Sequence, residues 1–178
     1  MATISETRGQ LITYEVYYGE NSTRWLGMAT LDLPEISMKT VDLTGPGIAG
    51  TVAMPTPGMS ESFECTVHWR SIHGDLTTLL EMHAHDLTFR GAQNIYDAGT
   101  GKTRAQPVKI NLRGLPKKST LGKFEQASET DSESNLEILH LQIFVDEVEI
   151  IEIDKLNQIF KVNGTDYLAD VATAIGLR

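Results

Sequence analysis

Apolar and polar residues alternate with a period of two along much of this chain, while helical spacing occurs in two short places. Successive side chains of a β-strand point to opposite faces, so such alternation marks a strand buried on one side. The cleanest case is Ser62 to Arg70, where Phe63, Cys65, Val67 and Trp69 share one face and Glu64, Thr66, His68 and Arg70 the other. Gln106 to Arg113 repeats the pattern, with Val108, Ile110 and Leu112 opposite Lys109, Asn111 and Arg113. Leu87 to Ala92 is a further strand. Near the start, Leu11 to Tyr18 is rich in β-formers, Gly19 to Ser22 is turn material, and Trp25 to Leu33 is a return arm ended by Pro34. This predicts an opening hairpin.

The longest apolar-rich segment runs from Ser134 to Gly164 and reads as two β-arms around a turn at Asp146-Glu147. Its alternation changes phase once on each arm. Leu136 and Ile138 share a phase, then Leu139, Leu141, Ile143 and Val145 take the other. After the turn Val148 and Ile150 are in phase, then Ile151 and Ile153 are. A flip means a β-bulge or a change of buried face. Two readings follow. The hairpin serves its own core with one part and a neighbour with the other, or it lies wholly inside one sandwich with two bulges.

Helical signals are short. Asp75 can cap a helix carrying Leu76, Leu79, Leu80 and His83 on one side. Near the end, Thr165 is a candidate N-cap, Tyr167, Leu168, Val171, Ala172 and Ile175 make an apolar stripe, and Gly176 is the stop. Extended loops are expected over about 42–60, glycine- and proline-rich with Leu43 and Ile48 as apolar tips, and over 114–134, which is polar and Ser/Thr/Glu-rich. Strands joined by turns, with no regular β-helix-β alternation, point to a mainly β fold. The expected fold is an antiparallel β-barrel or sandwich of two packed sheets, with a flanking α-helix and a short C-terminal helix.

The chain has 178 residues, enough for one well-buried domain spanning 1–178. No run is long and apolar enough to span a bilayer as a helix, and the first ten residues do not read as a secretory signal. Cys65 is the single cysteine, which excludes an intrachain disulfide and fits synthesis in a reducing cytoplasm. The net charge of −9 argues against general nucleic-acid binding. That charge is segregated: seven bases and no acid lie between Ala98 and Phe124, and ten acids and no base between Glu125 and Asp154. Such blocks pair within the fold, pair between copies, or form a binding patch.

Residues with chemical potential do not assemble into a site. Gly99-Thr100-Gly101-Lys102-Thr103 ends like a phosphate-binding loop, but Tyr96 stands where the motif needs its first glycine, and a strand follows where it needs a helix. His68, His73, His83 and His85 lack carboxylates or thiols at ligand spacing. Cys65 lies on an apolar face, the setting of an inert thiol. No nucleophile-base or paired-carboxylate constellation is evident, so neither an enzyme nor a cofactor is expected.

Several segments, taken together and in order, resemble the major tail tube proteins of contractile bacteriophage tails. They are Leu33-Pro34-Glu35-Ile36 with Lys39-Thr40, Gly45-Pro46-Gly47-Ile48-Ala49-Gly50, and Phe89-Arg90-Gly91-Ala92 with Asp97 and Gly101. Leu112 to Pro116, Ile153-Asp154-Lys155, Val162 to Asp166 and Ala174 to Leu177 complete the set. The resemblance implies homohexameric rings stacked into a hollow tube within a contractile sheath, a passive conduit for DNA. The tubes of phage-tail-like bacteriocins and type VI secretion share that implied fold and are the alternative setting. A binding module on a β-barrel is the remaining alternative. Implied partners are other copies of the chain, a sheath protein, baseplate or tube-initiator and tail-terminator proteins, and a tape-measure protein in the lumen. DNA passes without specific binding. The implied location is the virion tail, after synthesis in the host cytoplasm. Candidate ring-stacking residues are Leu43, Gly45, Gly47, Ile48, Lys117 and Lys118. Candidates for the lumen or for inter-subunit charge contacts are Glu137, Glu149, Glu152, Lys109 and Arg113. An acidic or neutral lumen is expected, because a basic wall would hold phosphate.

Overall fold

The computed structural model describes residues 6–19, 24–26, 29–72 and 74–176. The strands are β1 (Glu6–Tyr18), β2 (Arg24–Trp25), β3 (Ala29–Asp32), β4 (Met38–Leu43), β5 (Val52–Ser60), β6 (Glu64–Trp69), β7 (His85–Asp97), β8 (Lys102–Thr120), β9 (Ser132–Val145), β10 (Val148–Asp154), β11 (Ile159–Val162) and β12 (Thr165–Asp166). Two short helices, α1 (Gly74–Thr78) and α2 (Ala169–Ala174), complete the described elements.

A large antiparallel sheet runs in the order β12-β11-β10-β9-β8-β7-β1-β2, and a small sheet holds β4 and β5. The large sheet forks at β9. The first half of β9 pairs with β6, which carries β3, and its second half pairs with β10. The sheet is open, with β12 and β2 at its ends, so the two-sheet expectation holds and the closed-barrel variant does not.

Both phase flips of the long hairpin are β-bulges. Arg113 of β8 faces His140 but the next residue, Gly114, faces Ile138, so Leu139 is the extra residue. On the other arm the register jumps from Glu149 to Ile151, leaving Ile150 out. Each bulge restores the phase, so Leu136, Ile138, Leu141 and Ile153 all reach one core. Within one chain the second reading, one core and two bulges, describes the hairpin. Gly114 is required at the bulge, since a Cβ there would lie 2.9 Å from the Glu137 carbonyl oxygen.

That core is built where the alternation was cleanest. Phe63, Cys65, Val67 and Trp69 are all buried, and the Trp69 indole donates to the Ser134 hydroxyl at 3.0 Å. Leu76 and Leu79 close it from the α1 side.

Other expectations need correction. Region 114–134 is not one loop: β8 continues to Thr120 and β9 starts at Ser132. Beyond Gly114 β7 has ended, so β8 is an edge that tolerates Pro116, with a register shift after it. Region 42–60 is a strand-bearing hairpin, whose Pro55 and Pro57 are tolerated because β5 pairs with β4 alone. The opening segment is not a simple hairpin: β1 pairs chiefly with β7, and β3 crosses to β6. The expected turn residues 20–23 lie outside the described residues. Helix α1 ends at Thr78 before reaching Leu80 or His83, and the Thr77 and Thr78 hydroxyls both bond the Gly74 carbonyl. Threonine hydroxyls that bond the backbone in this way compete with helix propagation. Thr165 does not cap α2. It pairs with Val162 in β12, the helix begins after Leu168, and the Asp166 carboxylate accepts from the Leu168 amide at 3.0 Å. Only Leu168 and Ala172 of the predicted stripe are buried.

Candidate assembly surfaces

The outward face of the large sheet carries three polar rows. The first runs Arg90, Lys109, Phe144, Glu149, and the second Thr88, Asn111, Gln142, Glu152, Lys161. The third runs Asp86, Arg113, His140, Asp154. Four bases (Arg90, Lys109, Arg113, Lys161) and four acids (Asp86, Glu149, Glu152, Asp154) balance across them.

These groups are joined laterally. Thr88 donates to Asn111 at 3.3 Å, Asn111 to Gln142 at 3.4 Å, and Gln142 to Glu152 at 3.2 Å. Lys161 donates to Glu149 at 2.6 Å, and that bond raises the lysine's pKa above its ordinary value. Arg113 holds Asp86 with two bonds, at 2.6 and 3.0 Å. Lys109 sits 5.5 Å from the Phe144 ring centroid and has no carboxylate partner among the described residues.

Of the candidates for the lumen or inter-subunit charge contacts, the structure brings Glu149, Glu152, Lys109 and Arg113 onto one sheet face, and places Glu137 elsewhere. Glu137 lies on the β6 side of the bulge, bonded by Ser62 at 2.6 Å and Lys155 at 3.1 Å. Burial opposes its ionisation, yet those two bonds together with the charges of Lys155 and Lys117 outweigh burial and hold its pKa below the ordinary carboxylate range. Lys117 is a β8 residue paired to Glu64 across the sheet, and Lys118 is an exposed β8 residue opposite Asn135. Neither sits in a loop. Sequence reading missed Asp86, Arg90, Gln142 and Lys161 because their membership of the rows depends on strand register. The charge blocks meet at Lys117 with Glu137, 3.9 Å apart, and at Arg104 with Asp146, 3.8 Å apart. Lys102, Lys109, Lys118 and Lys123 meet no carboxylate among the described residues.

The β4–β5 hairpin is a second surface. Val41 is 58% exposed, Met54 50%, Leu43 40% and Ile48 39%. Its tip is compact: Ile48 donates to the Gly45 carbonyl at 3.1 Å, and Gly47 takes a φ of +93°. Contiguous exposed apolar side chains of this kind mark an interaction surface.

The remaining candidates resolve as structure. Gly99 to Thr103 spans a hairpin turn held by Asp97, which accepts from the Gly99 amide at 2.8 Å and the Thr100 hydroxyl at 2.7 Å. The Thr100 bond, then the Gly99 bond, keep that carboxyl's pKa low. His68 pairs with Asp32 at 2.8 Å, His83 lies 3.7 Å from Glu81, and His73 lies outside the described residues. His85 is fully buried between the Tyr18 hydroxyl at 2.8 Å and the Glu81 carbonyl at 2.9 Å. The carbonyl can only accept, so Nε2 carries the proton and Nδ1 accepts from Tyr18. Among the described residues, no group of three potential ligands gathers to hold a metal. Burial pushes the Cys65 thiol up to about 12, far from a reactive thiolate. No helix of the described residues is long and apolar enough to cross a membrane.

A sequence with an open polar-faced sheet and an apolar hairpin matches the family described as phage tail tube protein FII over residues 9–176. The chain belongs to that family. It is 27% identical over 164 residues to the tail tube protein of Escherichia phage P2, covering 88% of this chain and 92% of the relative. It is 24% identical over 149 residues to the major tail tube protein of Serratia phage KSP20, covering 83% and 85%. In fold it is similar to a chain of the PVC extracellular contractile injection system, solved as the sheath/tube terminator in the extended state. The TM-score is 0.50 at 16% identity, covering 75% of this chain and 94% of that one.

Proposed function

We propose that this chain builds the inner tube of a contractile phage tail, with copies closing into hexameric rings and the rings stacking into a conduit for DNA. The family match across residues 9–176 carries this reading, and the relatives from phages P2 and KSP20 support it. A closed ring is a heterologous interface in which one face meets a different one, and segregated charge orients such contacts.

The three-row face of β7 to β11 is the bore wall. Its bases and acids balance, and many bond one another across strands. Passing phosphates therefore meet little net field, whereas a lysine-rich wall would hold the strand by counterion release. The β4–β5 hairpin, with Leu43, Gly45, Gly47 and Ile48 at its tip, reaches the adjoining ring. A sheath outside, an initiator and a terminator at the ends, and a tape-measure protein in the bore are the partners such a tube needs, and its place is the virion tail.

Negative-stain microscopy of the purified chain tests the reading. Rings or tubes are expected on concentration, and a monodisperse monomer at the highest soluble concentration overturns it.

A further inference from the structure

The β8–β9 connection, residues 121–131, is an ordered projection. The Lys123 amide bonds the Thr130 carbonyl at 2.7 Å, and the Thr130 amide bonds Arg70 at 3.1 Å. Gly122 allows this closure: its φ is +77°, and a Cβ there would fall 1.7 Å from the Thr130 oxygen. On that closed base Phe124 is 89% exposed. Beside it stands Glu125, whose carboxylate has no cationic partner among the described residues.

A groove of ≈ 430 Å³ lies near the other end of the same strands. Gly91, Pro107, Val108 and Phe144 form its apolar lining, and Arg90 and Lys109 supply positive charge. Glu147 also lines it. The projection is acidic and carries an unburied aromatic ring. The groove is apolar and net basic, and its Lys109 has no carboxylate partner among the described residues. Val108 and Thr120 lie at the two places on one continuous strand, β8, about 40 Å apart at ~3.3 Å per residue. A chain's own projection therefore cannot reach its own groove, whereas a second copy displaced along the strand direction brings the two together.

We propose that Phe124 of one copy seats on the Pro107–Phe144 floor of the next copy, with Glu125 turned to Lys109. This rests on reading the chain as a self-stacking tube protein, and it names the knob and the socket. Only the first polar row is then covered at the ring junction, and the second and third rows stay open to the bore with two bases (Arg113, Lys161) and three acids (Asp86, Glu152, Asp154). The open wall is then slightly acidic in place of balanced and still does not hold phosphate.

Two measurements on the full chain test the contact. Glu125→Lys and Lys109→Glu should each raise the concentration needed for assembly about tenfold or more, because each sets like charges against one another in the interface. The double charge swap should restore assembly, which a folding defect would not allow. Phe124→Cys with Val108→Cys should give a ladder of disulfide-linked multimers under oxidation, since buried Cys65 does not compete. A double swap that stays monomeric, or normal tubes that yield no ladder, overturns the contact and leaves the tube reading standing. A wild-type chain that forms neither rings nor tubes removes both.

Discussion

Strand β6 and the β4–β5 hairpin are neighbours in sequence and opposites in environment. β6 alternates strictly between half-buried and buried positions, and each inward residue meets a partner from its own chain. In the hairpin, every β4 residue but Met38 is exposed, as are the first four of β5, although Val41, Leu43, Val52 and Met54 are as apolar as a core. The same kind of side chain is satisfied internally in one place and left to solvent in the other. Apolar exposure at that density is costly at roughly 25 cal/mol per Å², and it is relieved when another surface covers it. One region holds the subunit together, and the other is available to hold subunits to each other.

The contrast can be broken most severely where the hairpin is seated on the core, at Leu168. Gly58 of β5 lies against Leu168 with a φ of +69°, and a Cβ there would come within 2.4 Å of the Leu168 side chain. Gly58→Ala should cost about 2–4 kcal/mol, combining left-handed strain with overpacking. Urea unfolding measures it. An unchanged midpoint would show that the hairpin is not seated on the body as described.

The body should carry a pH dependence of its own through His85. Burial lowers the His85 pKa in the folded state, against a weaker opposing contribution from its bond to the Glu81 carbonyl. The unfolded chain therefore takes up the proton first. Stability should be full above about pH 6.5 and fall as pH drops from there to the folded value. The slope reaches at most about 1.4 kcal/mol per pH unit. Tyr18, His83 and Asp86 face the ring and stay in place in the control. Denaturation series at pH 7, 6 and 5 should show the slope in the wild type and a flatter one in His85→Gln.

The smallest effect on stability is expected at the hairpin tip. Leu43→Ser with Ile48→Ser should shift the unfolding midpoint by no more than about 0.5 kcal/mol, as at exposed sites generally. The same pair should abolish or sharply weaken stacking by sedimentation. A large loss of stability with assembly intact would reverse the roles assigned to the two regions.

Alternation in the sequence was enough to place most strands, the inward face of β6, the turn at Asp146-Glu147 and the two phase flips of the long hairpin, while that each flip is a bulge in one core came only from strand register. Each depends on near-neighbour geometry: side chains alternate faces, and an added residue inverts the phase. The exposed tip residues Leu43 and Ile48 were legible for the same reason, since glycine and proline around them preclude regular burial. Strand partners were not legible. Nothing local shows that β1 lies on β7, that β3 crosses to β6, or that Gly114 to Thr120 continues a strand through Pro116. The polar rows depend wholly on those partners. Arg90 joins Lys109, and Lys161 joins Glu152, only once register is set by the buried faces of strands far apart in the chain. Local chemistry along the sequence determined which residues can be strand, turn or exposed tip. Long-range packing of one apolar face decided which polar residues stand together on the other.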